Sequence, residues 1–231
     1  FGKLGSKYSI LYSPELLIQT TLTGQLALLM LIETLESNGI TVLSANTDGI
    51  VVFCRKDLLT TFHNLTWDWQ LSTSYPLEQT DYRCVASRDV NSYLAVKLDG
   101  STKGKGVFAP MGLAKNPDGA IVYKAVADYI SKGIPYEATI YVCEDITEFC
   151  TVRRVTGGAV WRGEPIGKAI RYYHSTDGDE IRYVKNGNLV PNSTGCRPLM
   201  DLPDRMPMDV DYQYYIGVAK QLLKDVGYER A

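Results

Sequence analysis

The sharpest pattern of apolar and polar positions lies in residues 40–53, which read ITVLSANTDGIVVF. Two short β-branched runs flank Asn46-Thr47-Asp48-Gly49, which predicts a β-hairpin with the Asp48 carboxylate at its tip. The tetrapeptide is also what an ordinary Asp-Gly turn requires, with Asp capping its own backbone and Gly at positive φ. Upstream, a helix is predicted over about 14–38: Ser13 can cap it, Pro14 suits its first turn, Glu15 lies near the positive end of the dipole, and Gly39 closes it. From Leu22 onward this helix is apolar almost all round, so its second half is expected to be buried against the sheet that carries Asp48.

Leu58, Leu59, Phe62, Leu65 and Trp69 recur at helical spacing and predict a helix over about 57–71, with Asp57 as its cap. Strands are predicted at 83–86 and 93–98, and Asp99-Gly100 turns the second back toward 104–108. After Pro110-Met111-Gly112 the character changes, which puts a domain boundary near residue 110. Asn116-Pro117-Asp118-Gly119 then opens a helix over about 120–131, ended by Gly133 and Pro135. Beyond it, 144–151 reads as helical, 152–161 fits neither period, and 169–173 and 181–184 read as extended, with a hairpin turn at Asn186-Gly187. Pro191, Pro198, Pro203 and Pro207 carry an extended connector into a closing helix over 209–226, stopped by Gly227. The sum is an α+β chain: an antiparallel sheet with packed helices, followed by a mixed, partly helical region.

With 231 residues, 45% of them apolar, the chain can bury one large core or two small ones. Its formal net charge of -2 means that any contact with a polyanion must come from local basic clusters. Two clusters stand out. Lys103 and Lys105 alternate with Gly104 and Gly106, which lets backbone and ammonium groups approach a phosphate closely. Arg153, Arg154, Arg162, Lys168 and Arg171 are interleaved with Trp161, Tyr172 and Tyr173, the mixture that grips a duplex without reading its sequence. For each cluster a solvated face is the alternative reading. Five cysteines form no CxxC pair, which predicts reduced thiols in a cytoplasm. Only His63 and His174 are available as imidazole ligands, so carboxylate chemistry with a hard cation such as Mg²⁺ is the better expectation. The longest apolar run, from Leu26 to Ile32, falls short of the roughly 20 residues that span a bilayer, so neither a membrane segment nor a signal peptide is expected.

The order of Phe1-Gly2, long helix and Asn46-Thr47-Asp48-Gly49 hairpin resembles the family B DNA polymerases of bacteriophages. In that family a helix ends in an NSxYG-like signature, of which Phe1-Gly2 would remain here, and a DTDS-like hairpin follows at about this distance. Asn46 stands where the first Asp is usual and Gly49 where Ser is usual, while Asp48 matches the family's metal ligand. The resemblance is strong to Phe53, moderate over 88–108 and weak beyond. In that middle stretch the family holds the primer terminus through a Lys-x-Tyr and a basic-Gly segment; Tyr93 matches the Tyr, Asn91 replaces the Lys, and Arg88 could compensate.

The resemblance implies a partial polymerase palm over 1–110 and a thumb over 111–231, together the carboxyl-terminal portion of a DNA-directed DNA polymerase. Asp48 would be the catalytic metal ligand, Phe1 and Gly2 would border the nascent base pair and its dNTP, and Thr47, Arg88, Asn91, Tyr93, Lys103, Lys105, Gly106, Arg153, Arg154 and Arg171 would contact primer and duplex. Two Mg²⁺ ions would be shared with an upstream carboxylate outside residues 1–231. Partners would be primer–template DNA, dNTP and an upstream polymerase half with the exonuclease and motif A regions, in the cytoplasm of a host cell. On this reading the chain alone extends nothing, and its long helix is partly uncovered, inviting a tight partner or self-association. Two other classes stay open: a duplex-binding clamp without chemistry, which binds DNA equally with and without Mg²⁺, and an unrelated Mg²⁺-dependent nuclease or phosphotransferase, which uses Asp48 with other acids.

Overall fold

The computed structural model describes residues 2–109 and 117–228, which group by contact into two units, Phe1–Thr80 and Asp81–Ala231. The division falls well before the expected boundary near residue 110. The reason is that strands 82–105 share their apolar face with the helices that follow them, so one core joins both sides of residue 110.

The first unit comprises α1 (Gly2–Gly5), α2 (Pro14–Ser37), β1 (Thr41–Ala45), β2 (Ile50–Phe53) and α3 (Leu59–Thr73). Helix α2 begins as its sequence dictates: Ser13 accepts a hydrogen bond from the Leu16 N–H at 3.4 Å, and Gly39 leaves the helix at φ 77°. Strands β1 and β2 form an antiparallel hairpin, Ala45 opposite Ile50 and Thr41 opposite Phe53, with a bulge at Leu43. Leu31, Leu35, Ile40 and Trp69 form the core, and the Trp69 indole N–H donates to the Ala27 carbonyl at 2.8 Å.

Burial of α2 is narrower than its composition suggests. A two-stranded sheet and one helix cover a single face, so Leu31 and Leu35 are buried while Ile18, Leu22, Leu26 and Leu29, on the opposite face, remain 47–64% exposed. By length and composition α2 would suffice to cross a membrane, which a search for unbroken apolar runs overlooks because Thr23, Gly24 and Gln25 interrupt it. A core helix meets the same test. Asp57 does not cap α3; it pairs with Arg55, and the helix is entered through a 3₁₀ turn at Lys56–Leu58.

In the second unit β3 (Tyr82–Asp89), β4 (Ser92–Lys97) and β5 (Thr102–Lys105) form an antiparallel meander. Then come α4 (Ala120–Lys132), α5 (Tyr136–Tyr141), β6 (Thr151–Trp161), β7 (Glu164–Asp179), β8 (Ile181–Tyr183), β9 (Cys196–Pro198) and α6 (Tyr212–Asp225), with the later strands in the order β8-β6-β7-β9. Leu94, Val96 and Phe108 share a core with Val126 of α4, Phe149, and Tyr215 and Leu222 of α6. Val155, Ile170, Tyr172 and Ile181 close a smaller one within the second sheet.

Several local expectations change. Residues 104–108 do not continue as a strand past Lys105 but fold into a 3₁₀ turn at Gly106–Phe108. The helical reading of 144–151 reduces to a 3₁₀ turn at Ile146–Phe149, capped by Asp145, and Thr151 already belongs to β6. Residues 152–161 are strand, and their pattern fits neither period because Gly157 and Gly158, at φ 88° and 93°, break the alternation where the pairing with β7 shifts. Helix α5 and strand β9 are too short to show a period, and the sequence pattern does not predict them. The α+β class holds in both units.

Candidate nucleic-acid interface

The loop between β1 and β2 is closed by the Asn46 N–H donating to the Gly49 carbonyl at 2.9 Å. Within it the Asn46 side-chain oxygen accepts the Asp48 N–H at 3.1 Å. Asn46 therefore takes the turn-capping role that an Asp-Gly turn assigns to Asp, and Gly49 does not adopt positive φ. The Asp48 carboxylate is left exposed and accepts no hydrogen bond from the described residues. It is available, but solitary: among the described residues no group of three or more His, Cys, Asp and Glu side chains gathers to hold a metal ion. Asp48 alone does not fit a two-cation site, which needs several bridging oxygens. Thr47 beside it and Gly2 on α1 are exposed; Phe1 lies outside the described residues.

The β3-β4-β5 meander brings several of the expected primer-binding residues together. Register sets Ser87, Tyr93 and Lys105 side by side across the three strands, and Val85, Ala95 and Lys103 in the next row. Opposed residues in an antiparallel sheet share a face, and alternate residues along a strand share it too, so Tyr93, Lys103 and Lys105 occupy one face together with Lys97. The basic clusters legible in the sequence do not include Lys97; its spacing of four from Tyr93 on a strand is the signal that places it there. The other face, through Ala86, Leu94 and Val96, is in the core.

The glycines between the lysines are required by packing. A Cβ on Gly104 would lie 1.8 Å from the Phe108 carbonyl oxygen, and one on Gly106, at φ 63°, would lie 2.3 Å from the Asn91 carbonyl oxygen. The chain doubles back so tightly that only glycine fits inside, and the lysines are thereby held on the outer surface, both exposed. Asn91, in the β3-β4 turn, is exposed, and its N–H donates to Asp89 at 2.9 Å. Arg88 donates to the same carboxylate at 3.1 Å.

The arginine cluster of the second sheet does not form one surface. Arg154 pairs with Ala169 and Arg171 with Val152 on one face, while Arg153, opposite Ile170, is on the other with Tyr172. Arg153 is largely engaged: it donates to the Tyr172 hydroxyl at 3.0 Å and pairs with Asp118 at 3.4 Å. Burial pushes the Tyr172 phenol up to about 12, against the pull of that guanidinium. Arg171 is spent on the Leu199 and Met200 carbonyls, and Arg162 lies over the Trp161 ring at 4.5 Å while pairing with Asp177 and Asp179. Arg154 and Lys168 are exposed. The compact lysine face of the meander is thus better suited to phosphates than the dispersed arginines, several of which hold the sheet together. Compared with known proteins, the sequence matches no family model and no curated protein.

Proposed function

We propose that this chain is a primer–template-binding portion of a family B-type DNA polymerase, in which Asp48 contributes one carboxylate to nucleotidyl transfer and the Tyr93–Lys105 face grips the duplex. The observation that carries the reading is the meander: an aromatic ring and three lysines on one face, fixed there by glycines that admit no side chain on the other. Phosphate binding of this kind supplies position and salt-dependent affinity without reading sequence. The release of the Asp48 carboxylate from turn capping adds support. Mg²⁺ enters this reading only with carboxylates supplied from outside residues 1–231. The test is reconstitution. The chain alone should extend no primer, and mixing it with a separately produced polymerase half that carries an exonuclease and motif A region should give Mg²⁺-dependent extension that Asp48→Asn removes. Robust extension by the chain alone, or restored extension indifferent to Asp48→Asn, would sink the reading.

The isolation of Asp48 favours a second reading, a duplex clamp without chemistry. A clamp would bind duplex DNA with equal affinity in Mg²⁺ and in EDTA and would never support extension with any partner.

A further inference from the structure

A cleft of about 490 Å³ lies along α6, beside Tyr123 of α4 and Arg88 of β3. Its size is within the roughly 300–1,000 Å³ of small-molecule sites. Three features of its lining point to one kind of ligand. Gly217 is in the interior of α6, where glycine weakens a helix, yet a Cβ there would meet no atom within 4 Å. Packing does not require this glycine; its bare backbone leaves the space beside it open. Tyr214, three residues earlier on α6, is fixed by stacking on His174, ring centroids 3.3 Å apart and 15° between planes. Finally, Tyr123 is half-buried, and its hydroxyl, open to solvent, has no hydrogen-bond partner among the described residues.

The polar groups narrow the chemistry further. Arg88 commits one N–H to Asp89 and keeps its other donors. The Gln221 amide donates to Asp225 at 2.7 Å, leaving its oxygen free to accept from a ring edge. The Asp225 carboxylate lines the same cleft and is engaged by that amide. An aliphatic ligand would leave both the phenol and the guanidinium unanswered, and an inorganic anion would leave the apolar floor bare.

We propose that this cleft binds a single unpaired nucleotide, its base lying over Gly217 beside Tyr123 and Tyr214 and its phosphate held by Arg88. The inference stands apart from the polymerase reading, because a lone nucleotide requires neither Asp48 nor the lysine face.

Equilibrium binding of dAMP to the full chain tests it, with deoxyadenosine and inorganic phosphate as parallel probes. The expected result is saturable dAMP binding, weaker binding of deoxyadenosine and no competition by phosphate alone. Gly217→Leu should abolish binding, and Tyr123→Phe should weaken it by about three- to tenfold, the loss of one hydrogen bond. Arg88→Gln should erase the preference for dAMP over deoxyadenosine. Lys103→Glu with Lys105→Glu should leave dAMP binding unchanged, which separates this site from the duplex face. Absence of saturable binding at millimolar dAMP, full competition by inorganic phosphate, or binding indifferent to Tyr123→Phe and Arg88→Gln would each overturn the proposal. Tyr123→Phe and Arg88→Gln leave the core packing intact and keep the outcome decisive should Gly217→Leu fail to fold.

Discussion

His174 is an imidazole enclosed by the rings of Tyr214 and Tyr215, with the Cys196 thiol 3.6 Å from both ring nitrogens. Burial pushes its pKa down to about 4, outweighing the Asp211 and Asp118 carboxylates that pull it upward. In the unfolded chain histidine titrates near 6.5. Between these values the unfolded state holds a proton that the folded state does not, so the contribution of His174 is fully present above about pH 6.5 and is lost as pH falls toward 4, by up to about 3 kcal/mol. Urea unfolding at pH 7 and pH 4.5 should therefore show a smaller drop in stability for His174→Gln than for the native chain. An equal drop would place the acid sensitivity elsewhere. The same burial pushes the Cys196 thiol up to about 12, so it stays protonated and weakly nucleophilic. At Asp48 the opposite condition holds: an exposed carboxylate is left unengaged because its neighbour Asn46 satisfies the turn.

The meander β3-β4-β5 shows how an element turns an ordinary sequence into a surface. Lys-Gly-Lys-Gly says little as composition; paired with β4 and doubled back through Phe108, it becomes a one-sided basic strand. Lys103→Glu with Lys105→Glu should weaken duplex binding uniformly across sequences. It should also reduce the slope of log affinity against log salt by about two, one for each phosphate that a lysine no longer neutralises. An unchanged slope would show that duplex DNA does not touch this face. Charge reversal of the arginines of β6 and β7 is a poorer test, because Arg153 is tied to Tyr172 and Asp118 and its reversal would cost stability as well as charge.

For the molecule as a whole, the two units have separate cores: the first rests on Leu31, Leu35, Ile40 and Trp69, the second on the larger cluster around Phe108, Phe149 and Tyr215. The first is small, and its dominant helix carries a second apolar face. Ile18, Leu22, Leu26 and Leu29 form an exposed stripe of the kind that drives association. Light scattering after gel filtration should show mass rising with concentration for the native chain. Leu22→Lys with Leu26→Lys should shift it to monomer while changing unfolding stability by less than about 0.5 kcal/mol, as expected where neither residue is buried. A concentration-independent monomer in the native chain would mean that the stripe is not adhesive.

The features legible from the order of residues alone are local. The hairpin around Asp48, the start and end of α2, the helix opened by Gly119 and the closing helix α6 are legible because caps, glycine stops and turn residues act over a few positions. Fold class was legible for the same reason. Tertiary structure decided what depends on partners distant in the chain. The cores placed the division near residue 80 rather than 110, since only packing reveals that strands on one side of a turn-rich segment share apolar neighbours with helices on the other. Register put Tyr93 beside Lys105 and separated Arg153 from Arg154 and Arg171, because a strand's side chains alternate between faces and a run of basic residues does not say which face each takes. The cleft over Gly217 was invisible in sequence, where a glycine inside a helix registers only as a weak spot; its walls form only once α6 is set against Tyr123 and Arg88.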